Sequence, residues 1–380
     1  MKSNYHLYSI ILCYVLLFLS ASCTRYKETT SILFQSGNEG YDTFRIPAII
    51  KVENGNAYGR IIAFAEGRKK TSGDTGDIDL VMKFSDDGGQ SWSKLGVIWD
   101  DSTNTCGNPA PIQDPATKKI IMMMTWNNGH DPQYKIENQT SIDTRRIFYT
   151  ESSDLGNTWT KPVELTDILK PAGTTWYGTG PCHAIVKNHE PHKGRIVVPV
   201  YCKDTLYDGY ATILYSDDNG VTWKCGNWNR EGGASESTVA ELENGDLILN
   251  FRNESRPGES QYRSQYRPFI ISHDGGQTWT DKTFCEELTE PCCQGSILSS
   301  SYSGRLYFLN PHSKKERKYL TLQSSIDNSR SWSVIDTIYK ESSAYSDMVE
   351  LDKHNLGLLY ETDNYNKIIF QIYNVKRTSR

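Results

Sequence analysis

Several short segments of this chain combine arginine, carboxylic acids and tyrosine in settings that suit chemistry. They are Phe44-Arg45-Ile46-Pro47, Ala65-Glu66-Gly67-Arg68, residues 73–79, Ser235-Glu236-Ser237-Thr238, residues 249–253, Asn310-Pro311 with Arg317, Ala344-Tyr345-Ser346-Asp347 and Leu359-Tyr360-Glu361. Guanidinium groups hold carboxylates in a fixed orientation through charge-assisted hydrogen bonds. Positioned carboxylic acids transfer protons, and an activated tyrosine is a nucleophile. Together these residue types could bind a carboxylate and move protons around it.

The elements that must position these residues are organised by a repeat. The pattern Ser-x-Asp-x-Gly-x-Thr-Trp, here called the Asp-box, starts at residues 85, 152, 216, 272 and 325, each copy after a short apolar run. The first copy has Ser91 in the Thr position, and the last has Ser329 and Ser331 in the Gly and Thr positions. Such a run ending in Asp, Asn and Gly predicts a hairpin, because Asp bonds turn amides and Gly accepts positive φ. The closing Trp can pack between neighbouring units. We therefore assign the Asp-box a structural role and no catalytic one.

Short strands are predicted in six groups, five of them closed by an Asp-box. Their ranges are 48–52, 60–65 and 79–84; 109–112, 119–125 and 146–150; 183–187, 195–201 and 211–215; 237–242, 246–251 and 269–272; 296–299, 305–309 and 319–323; and 347–351, 356–360 and 367–373. The sixth group needs one more strand, which residues 31–35 could supply. A repeat of this period with radial four-stranded sheets predicts an all-β, six-bladed β-propeller. We expect residues 24–380 to form this single domain.

Bulk properties exclude some classes of function. The 380 residues carry a formal charge of -5 with a pI near 6.0, so no nucleic-acid partner is expected. There is no His-Glu-x-x-His pattern, and the seven cysteines after Cys23 lack metal-ligand spacing. We expect no metal, no cofactor, at most one disulfide and a monomer.

Residues 1–23 form a predicted leader. Lys2 precedes an apolar run over 10–19, followed by Ser20-Ala21-Ser22-Cys23. A charged start, a short apolar core and small residues are typical of a secretory signal peptide. Cys23 directly after small residues resembles a bacterial lipoprotein cleavage site, whereas plain cleavage nearby would leave a soluble protein. We expect an exported protein of the periplasm, outer membrane or cell surface, anchored by lipid on Cys23.

The motifs resemble those of one enzyme family. Phe44-Arg45-Ile46-Pro47 followed by five Asp-boxes is similar to the bacterial and animal exo-α-sialidases (neuraminidases), a group of glycoside hydrolases, and the resemblance covers residues 41–370. The ordered set Arg68, Asp74, Glu236, Arg252, Arg317, Tyr345 and Glu361 strengthens it. The resemblance implies removal of terminal α-linked sialic acid from glycoproteins, glycolipids or oligosaccharides.

The resemblance also implies roles for the residues that match. Arg45, Arg252 and Arg317 would form the cluster that binds the carboxylate of sialic acid. A carboxylate nucleophile would be repelled by that group, and sialidases use a tyrosine instead. Tyr345 would be this nucleophile, and Glu236 the base that takes its proton.

The remaining matches fill out the implied site. Asp74 would be the general acid, with Asp77 and Asp79 as rivals, although Asp79 suits a structural role. Arg68 would contact ring substituents, Glu361 would hold Arg45, and Trp126 would line the pocket for the N-acyl group. One departure is Gly180-Pro181-Cys182-His183, where the family often has Gly-Pro-Gly-His. It puts the local backbone shape in doubt.

Other functions stay open at this point. A trans-sialidase, intramolecular or not, or a glycosidase for a related nonulosonic acid would use the same residues. A non-catalytic carbohydrate-binding propeller would keep the Asp-boxes and lose the pocket residues, which are all present in this chain.

Overall fold

The regular secondary structure of the described residues is almost entirely β-strand. The computed structural model describes residues 26–206, 208–254 and 265–378, and these contain 24 strands. Its short helices are α1 (Gln133–Glu137), α2 (Thr166–Leu169) and a 3-10 helix (Val375–Thr378). Within these ranges no helix has the length and apolar character needed to span a membrane. The all-β prediction is confirmed, while the predicted leader over residues 1–23 lies outside the described residues.

The strands follow one another in six sets, each paired antiparallel. Set 1 is β2 (Thr43–Val52), β3 (Arg60–Arg68), β4 (Ile78–Ser85) and β5 (Gly96–Trp99). Set 2 is β6 (Thr105–Gln113), β7 (Ile120–Asn127), β8 (Arg146–Ser152) and β9 (Val163–Glu164). Set 3 is β10 (Thr174–Thr179), β11 (Ile185–Val186), β12 (Ile196–Asp204), β13 (Gly209–Ser216) and β14 (Lys224–Cys225).

Sets 4 to 6 complete the order. Set 4 is β15 (Ala234–Glu241), β16 (Leu247–Asn253), β17 (Tyr266–Ser272) and β18 (Thr283–Thr289). Set 5 is β19 (Ser296–Ser299), β20 (Leu306–Pro311), β21 (Lys318–Ser325) and the first half of β22 (Ser333–Asp352). Set 6 is the second half of β22, β23 (Asn355–Thr362), β24 (Lys367–Asn374) and β1 (Thr30–Gln35). The antiparallel pairing of β1 with β24 confirms that the first strand completes the last set.

Hydrogen bonding merges some sets. The long strand β22 pairs with β21 on one side and β23 on the other, so sets 5 and 6 share a sheet. One parallel pair, Ile78 with Thr105, joins sets 1 and 2. The result is four hydrogen-bonded sheets of seven, five, four and eight strands.

The buried apolar residues lie between neighbouring sets. In six of the clusters, representative members from the two sets are Ile50 and Met122, Ile121 and Val198, Ile213 and Leu249, Ile248 and Ile297, Leu322 and Leu358, and Phe370 and Phe44. Each cluster draws on two consecutive sets, and the last joins set 6 to set 1. Apolar burial, worth about 25 cal/mol per Å², therefore stabilises every set against both of its neighbours.

The five Asp-box turns share one hydrogen-bond pattern. In the fourth, Asp274 accepts from the Thr278 amide at 2.8 Å and the Thr278 hydroxyl at 2.6 Å. The degenerate fifth turn keeps the pattern, although Ser329 takes the glycine position at φ +69°. The Trp92 ring packs edge-on against Phe370 of set 6, with ring centroids 5.0 Å apart. The prediction that a box tryptophan packs between units is confirmed.

Candidate active site

Three predicted site residues lie where the first strand of a set breaks its regular pairing. The breaks fall at residues 45–48 in β2, 234–237 in β15 and 343–346 in β22. In β2 the cause is local, since Ile46 has φ +60° and Pro47 has no N–H to donate to the ladder. Such bulges bend a strand and re-aim its side chains. Arg45, Glu236 and Tyr345 owe their positions to these breaks.

The other predicted residues lie at the same edge of the sheets. Arg68 ends β3, Arg252 and Glu361 each precede the last residue of β16 and β23, and Arg317 comes just before β21. The second strand of each set runs antiparallel to the first, so its end lies beside the start of the first. Strand topology thus collects residues that are far apart in sequence.

Tyr345 and Glu236 form the centre of the cluster. The Tyr345 hydroxyl donates a short hydrogen bond to Glu236 Oε1. Arg252 Nη1 donates to the second oxygen of Glu236 at 2.8 Å and to the Tyr345 hydroxyl at 3.1 Å. Burial raises the pKa of the Tyr345 phenol well above 10, Glu236 raises it further, and Arg252 and Arg317 oppose this. The Tyr345 phenol is therefore neutral, and its hydroxyl proton is directed at the Glu236 carboxylate.

Arg45 is fixed by Glu361, as the sequence predicted. Arg45 Nε donates to Glu361 Oε1 at 2.7 Å, and the Ile46 amide donates to the same oxygen at 2.9 Å. Glu361 Oε2 accepts from the Tyr345 amide at 3.1 Å. The fully buried Glu361 therefore sets both the arginine and the tyrosine backbone. The Arg45 guanidinium carbon lies 5.3 Å from the centre of the Tyr345 ring.

Arg317, whose sequence motif is the loosest, joins the same cluster. Its guanidinium carbon lies 5.7 Å from the centre of the Tyr345 ring, and Nη1 donates to the Tyr365 hydroxyl at 3.1 Å. Nη2 donates to the Cys292 carbonyl at 3.1 Å. Together, Arg45, Arg252 and Arg317 bring guanidinium groups from three different sets around one tyrosine. Such a group can hold a carboxylate beside the Tyr345 hydroxyl.

Asp74 lies over Arg68 on the loop between β3 and β4. Asp74 Oδ1 lies 2.7 Å from Arg68 Nη1, and Arg68 Nη2 lies 2.7 Å from Glu66 Oε2. The Asp74 side chain is three-quarters exposed, at 75%, whereas Arg68 is buried. Its surroundings would raise the pKa of Asp74 by desolvation, but Arg68 and Arg45 outweigh this and lower it. The structure thus places a solvent-facing carboxylate beside the arginine cluster.

The two rival aspartates have other partners. Asp77 and Asp79 both contact Lys69, at 3.2 and 3.0 Å, and Asp79 also accepts from the Tyr41 hydroxyl at 2.6 Å. Asp79 is buried. These contacts link β3 to the start of β4 and suit a structural role, so Asp74 is the better candidate acid.

Trp126 lies in a separate hollow of about 450 Å³ with Trp99 and Phe148. Its indole N–H donates to Asp101 at 2.7 Å, and Arg146 lies over its ring at 5.4 Å. Side chains alternate along a strand, so Trp126 faces away from its neighbour Thr125. Thr125 is buried and accepts a hydrogen bond from Arg145 at 2.8 Å. The structure does not bring Trp126 into the arginine cluster, and its role toward an N-acyl group stays a prediction.

The segment that differs from the family pattern, Gly180-Pro181-Cys182-His183, links set 3 to set 6 through hydrogen bonds. His183 donates its amide to Asp347 Oδ2 at 2.9 Å, and its Nδ1 lies 2.7 Å from Asp347 Oδ1. Asp347 also accepts from the Ile49 amide at 2.9 Å. These bonds join set 3 to sets 6 and 1. A cavity of about 810 Å³ is lined by residues that include His183 and Glu241, and Tyr345 is not one of them.

Sequence reasoning assigned no role to several residues that contact the cluster. They are Glu66, Arg145, Glu254, Cys292 and Tyr365. Arg145 is buried, with hydrogen bonds to Asn108 at 2.9 Å and Thr125 at 2.8 Å, and its guanidinium stacks on Trp176 at 4.0 Å. Glu254 lies 3.0 Å from Arg252. Glu66 lies in the segment Ala65-Glu66-Gly67-Arg68, whereas Cys292 and Tyr365 lie outside the segments that the sequence singles out, and their arginine contacts form only when distant sets meet.

The fold and this cluster define a glycoside hydrolase of the sialidase class. A BNR repeat-like domain model matches residues 59–358. The exo-alpha-sialidase of Arthroderma benhamiae is 30% identical over 353 residues, which span 86% of this chain and 79% of that protein. This chain therefore belongs to the sialidase family of BNR-repeat enzymes.

Solved structures agree with this assignment. A Hadza microbial sialidase is 25% identical with a TM-score of 0.79, over 92% of this chain and 69% of that one. A leech intramolecular trans-sialidase shares the fold at 16% identity and a TM-score of 0.75, covering 93% of this chain and 71% of that one. The recognition of the family from sequence is confirmed.

Proposed function

We propose that this enzyme is an exo-α-sialidase that hydrolyses terminal α-linked sialic acid with retention of configuration. The observation that carries the proposal is the hydrogen bond from Tyr345 to Glu236 among three arginines. Arg45, Arg252 and Arg317 would hold the substrate carboxylate. A neutral phenol can approach that anionic substrate, because its charge develops only as the proton leaves for Glu236.

The proposed reaction has two displacements at the anomeric carbon. In the first, Tyr345 oxygen bonds to that carbon, its proton passes to Glu236, and the leaving oxygen takes a proton from Asp74. In the second, Asp74 accepts a proton from water, the water oxygen displaces Tyr345, and Glu236 returns the proton to the phenolate. Two inversions restore the configuration.

A labelling experiment tests this mechanism. A 2,3-difluorosialic acid derivative should inactivate the enzyme by losing its C2 fluoride to Tyr345, and should add the mass of one 3-fluorosialosyl group to the peptide that contains this residue. Tyr345→Phe should remain unlabelled. Proton NMR of a sialyl-lactose digest should show the α anomer of sialic acid first. Release of the β anomer first, or complete inactivation without a Tyr345 adduct, would contradict the proposal.

Hydrolysis and transfer are separated by the acceptor. The same site would serve a trans-sialidase if another acceptor replaced water, or a glycosidase of a related nonulosonic acid if the bound sugar differed. We propose water, because Asp74 is largely open to solvent. Product NMR with water and lactose as competing acceptors should show free sialic acid as the main product. A dominant sialyl-lactose or anhydro product would assign transferase activity instead.

For the architecture we propose a single six-bladed propeller formed by residues 24–380, with one blade per set. The support is the cyclic order of the apolar clusters, in which Phe34 of set 6 packs against Phe44 of set 1 with ring centroids 5.3 Å apart. The first strands β2 and β22 of these sets are also neighbours. A crystal structure with a different number of blades, or an open ring, would reject this count.

For the location we propose export and a lipid anchor on Cys23, supported by Ser20-Ala21-Ser22 before it. The enzyme would then act as a monomer on sialylated glycans outside the cytoplasm. Cys23→Ser should move the protein from the membrane fraction to the soluble fraction, and labelled palmitate should mark only the wild type. Unchanged membrane retention of Cys23→Ser would count against the anchor.

A further inference from the structure

One residue without an assigned role touches two arginines of the cluster. Cys292 lies on the connection between β18 and β19, and its sulfur accepts from Arg252 Nε at 3.3 Å. Its carbonyl accepts from Arg317 Nη2 at 3.1 Å. Arg252 and Arg317 belong to sets 4 and 5, so a single residue bridges guanidinium groups from two sets. Cys292 is partly exposed.

The Cys292 backbone is held in an unfavourable conformation. Its φ is +52°, a left-handed value that suits glycine and that few other residues adopt. Backbone strain of this kind persists only where the surrounding structure imposes it. The neighbouring segment supplies that constraint, because it is bonded to a buried ion pair.

The ion pair is formed by Arg267 and Glu290, both fully buried and 2.9 Å apart. Arg267 also donates to the Cys293 carbonyl at 2.7 Å, and Glu290 accepts from the Asn253 amide at 2.6 Å. These bonds fix the residues on both sides of position 292. The thiol and carbonyl of Cys292 are therefore presented to the arginines at set positions.

We propose that Cys292 is a positioning residue that fixes Arg252 and Arg317 at the spacing needed to bind one carboxylate together. The proposal rests on the sialidase function proposed above. Rotation of either guanidinium would move its N–H donors away from those of the other arginine. A bidentate contact with a carboxylate depends on the spacing and direction of these donors. The bridge acts before substrate arrives, so it should strengthen ground-state and transition-state binding equally. Its loss should therefore appear in KM.

The test compares three substitutions at one position. Cys292→Ala removes the sulfur acceptor and should raise KM about fivefold with kcat unchanged, the usual worth of one hydrogen bond. Cys292→Ser restores an acceptor and should recover part of the loss. Cys292→Gly relieves the left-handed backbone, so it should melt no lower than wild type while KM still rises. Cys225→Ala, a partly exposed cysteine on β14, is the matched control and should change neither constant.

A second substrate shows whether the carboxylate is the group concerned. The effect of Cys292→Ala on KM should shrink on the methyl ester of the same sialoside, which has no negative charge for the arginines. Calorimetry with free sialic acid should give the same rise in Kd as in KM. An equal effect on acid and ester, or a fall in kcat alone, would overturn the proposal.

Failure of this inference differs from failure of the proposed function. If wild-type protein neither cleaves sialosides nor binds sialic acid, the proposed function is wrong. If the wild type is active and both Cys292→Ser and Cys292→Gly keep its KM, only the positioning role is rejected. Should Cys292→Ala fail to fold, these two variants decide the question.

Discussion

Replacing Glu361 by glutamine probes the residue that joins Arg45 to Tyr345. The carboxylate accepts three hydrogen bonds, two at Oε1 from Arg45 and Ile46 and one at Oε2 from Tyr345. Glutamine has nearly the same shape but one acceptor oxygen. Its oxygen should turn toward the two donors at the Oε1 position, because that satisfies more bonds. Its NH₂ group would then face the Tyr345 amide, donor against donor.

The magnitude follows from these contacts. Losing the charged partner of a buried ion pair costs about 3–5 kcal/mol, which includes about 1–3 kcal/mol for an unsatisfied buried donor. Arg45 keeps a stacking contact with Tyr365, whose ring centre lies 3.9 Å from its guanidinium carbon. We therefore expect Glu361→Gln to lower the free energy of unfolding by about 3 kcal/mol. A shift of Arg45 and Tyr345 should also lower kcat/KM, on the order of 100-fold for a 1 Å misplacement.

The assays are urea unfolding followed by tryptophan fluorescence and hydrolysis of an aryl sialoside. Glu350→Gln is the matched control, since Glu350 also accepts several bonds, from Ser300 and Ser301, but near solvent. It should cost less than about 1 kcal/mol and leave kcat/KM unchanged. If Glu361→Gln behaves like this control in both assays, the assignment of Glu361 as the anchor of Arg45 and Tyr345 is wrong.

Three further outcomes are expected. Asp74→Ala should retain turnover of an aryl sialoside and lose it on sialyl-lactose, because only the sugar alkoxide needs a proton to leave; a changed substrate ratio in Asp77→Ala instead would move the acid to Asp77. Arg45→Ala should raise KM as well as lower kcat, and a normal KM would argue against carboxylate binding. Burial lowers the pKa of His183, but the charge of Asp347 outweighs this and raises it. The pair should therefore stabilise the folded protein fully below about pH 6.5, and this contribution should be lost as the pH rises through the pKa of His183 in the folded state. His183→Asn should flatten that decline in urea titrations between pH 6 and pH 9, and an unchanged slope would exclude this pair as its source.

Much of the fold could be predicted from sequence because its signals are local. Each Asp-box supplies its own turn through one Asp side chain, so five hairpins are marked independently of tertiary contacts. The pairing of β1 with β24 was predicted by counting strands alone. The shared strand β22 was not, because the sequence gives no sign that one strand continues from set 5 into set 6. Continuity of hydrogen bonding between sets depends on their mutual orientation.

The candidate site divides along the same line. Short sequence segments mark Tyr345, Glu236 and the three arginines, and the structure brings these residues together. Cys292 and Tyr365 lie outside the segments that the sequence singles out, and their contacts with the arginines form only in the folded chain. Cys292 was one of seven cysteines with no informative spacing. Its backbone conformation and both arginine contacts become visible only in three dimensions.

The charge on Asp74 shows how this site could couple binding to catalysis. A general acid must hold a proton, yet Arg68 and Arg45 together outweigh the desolvation of Asp74 by its surroundings and lower its pKa. Asp74 is therefore ionised in the free enzyme. A bound carboxylate would partly neutralise the Arg45 charge and exclude water, and each change favours the protonated acid. In the proposed mechanism, the carboxylate of the substrate would thus raise the pKa of Asp74. Asp74 would therefore be protonated when the substrate is bound and ionised when the site is empty.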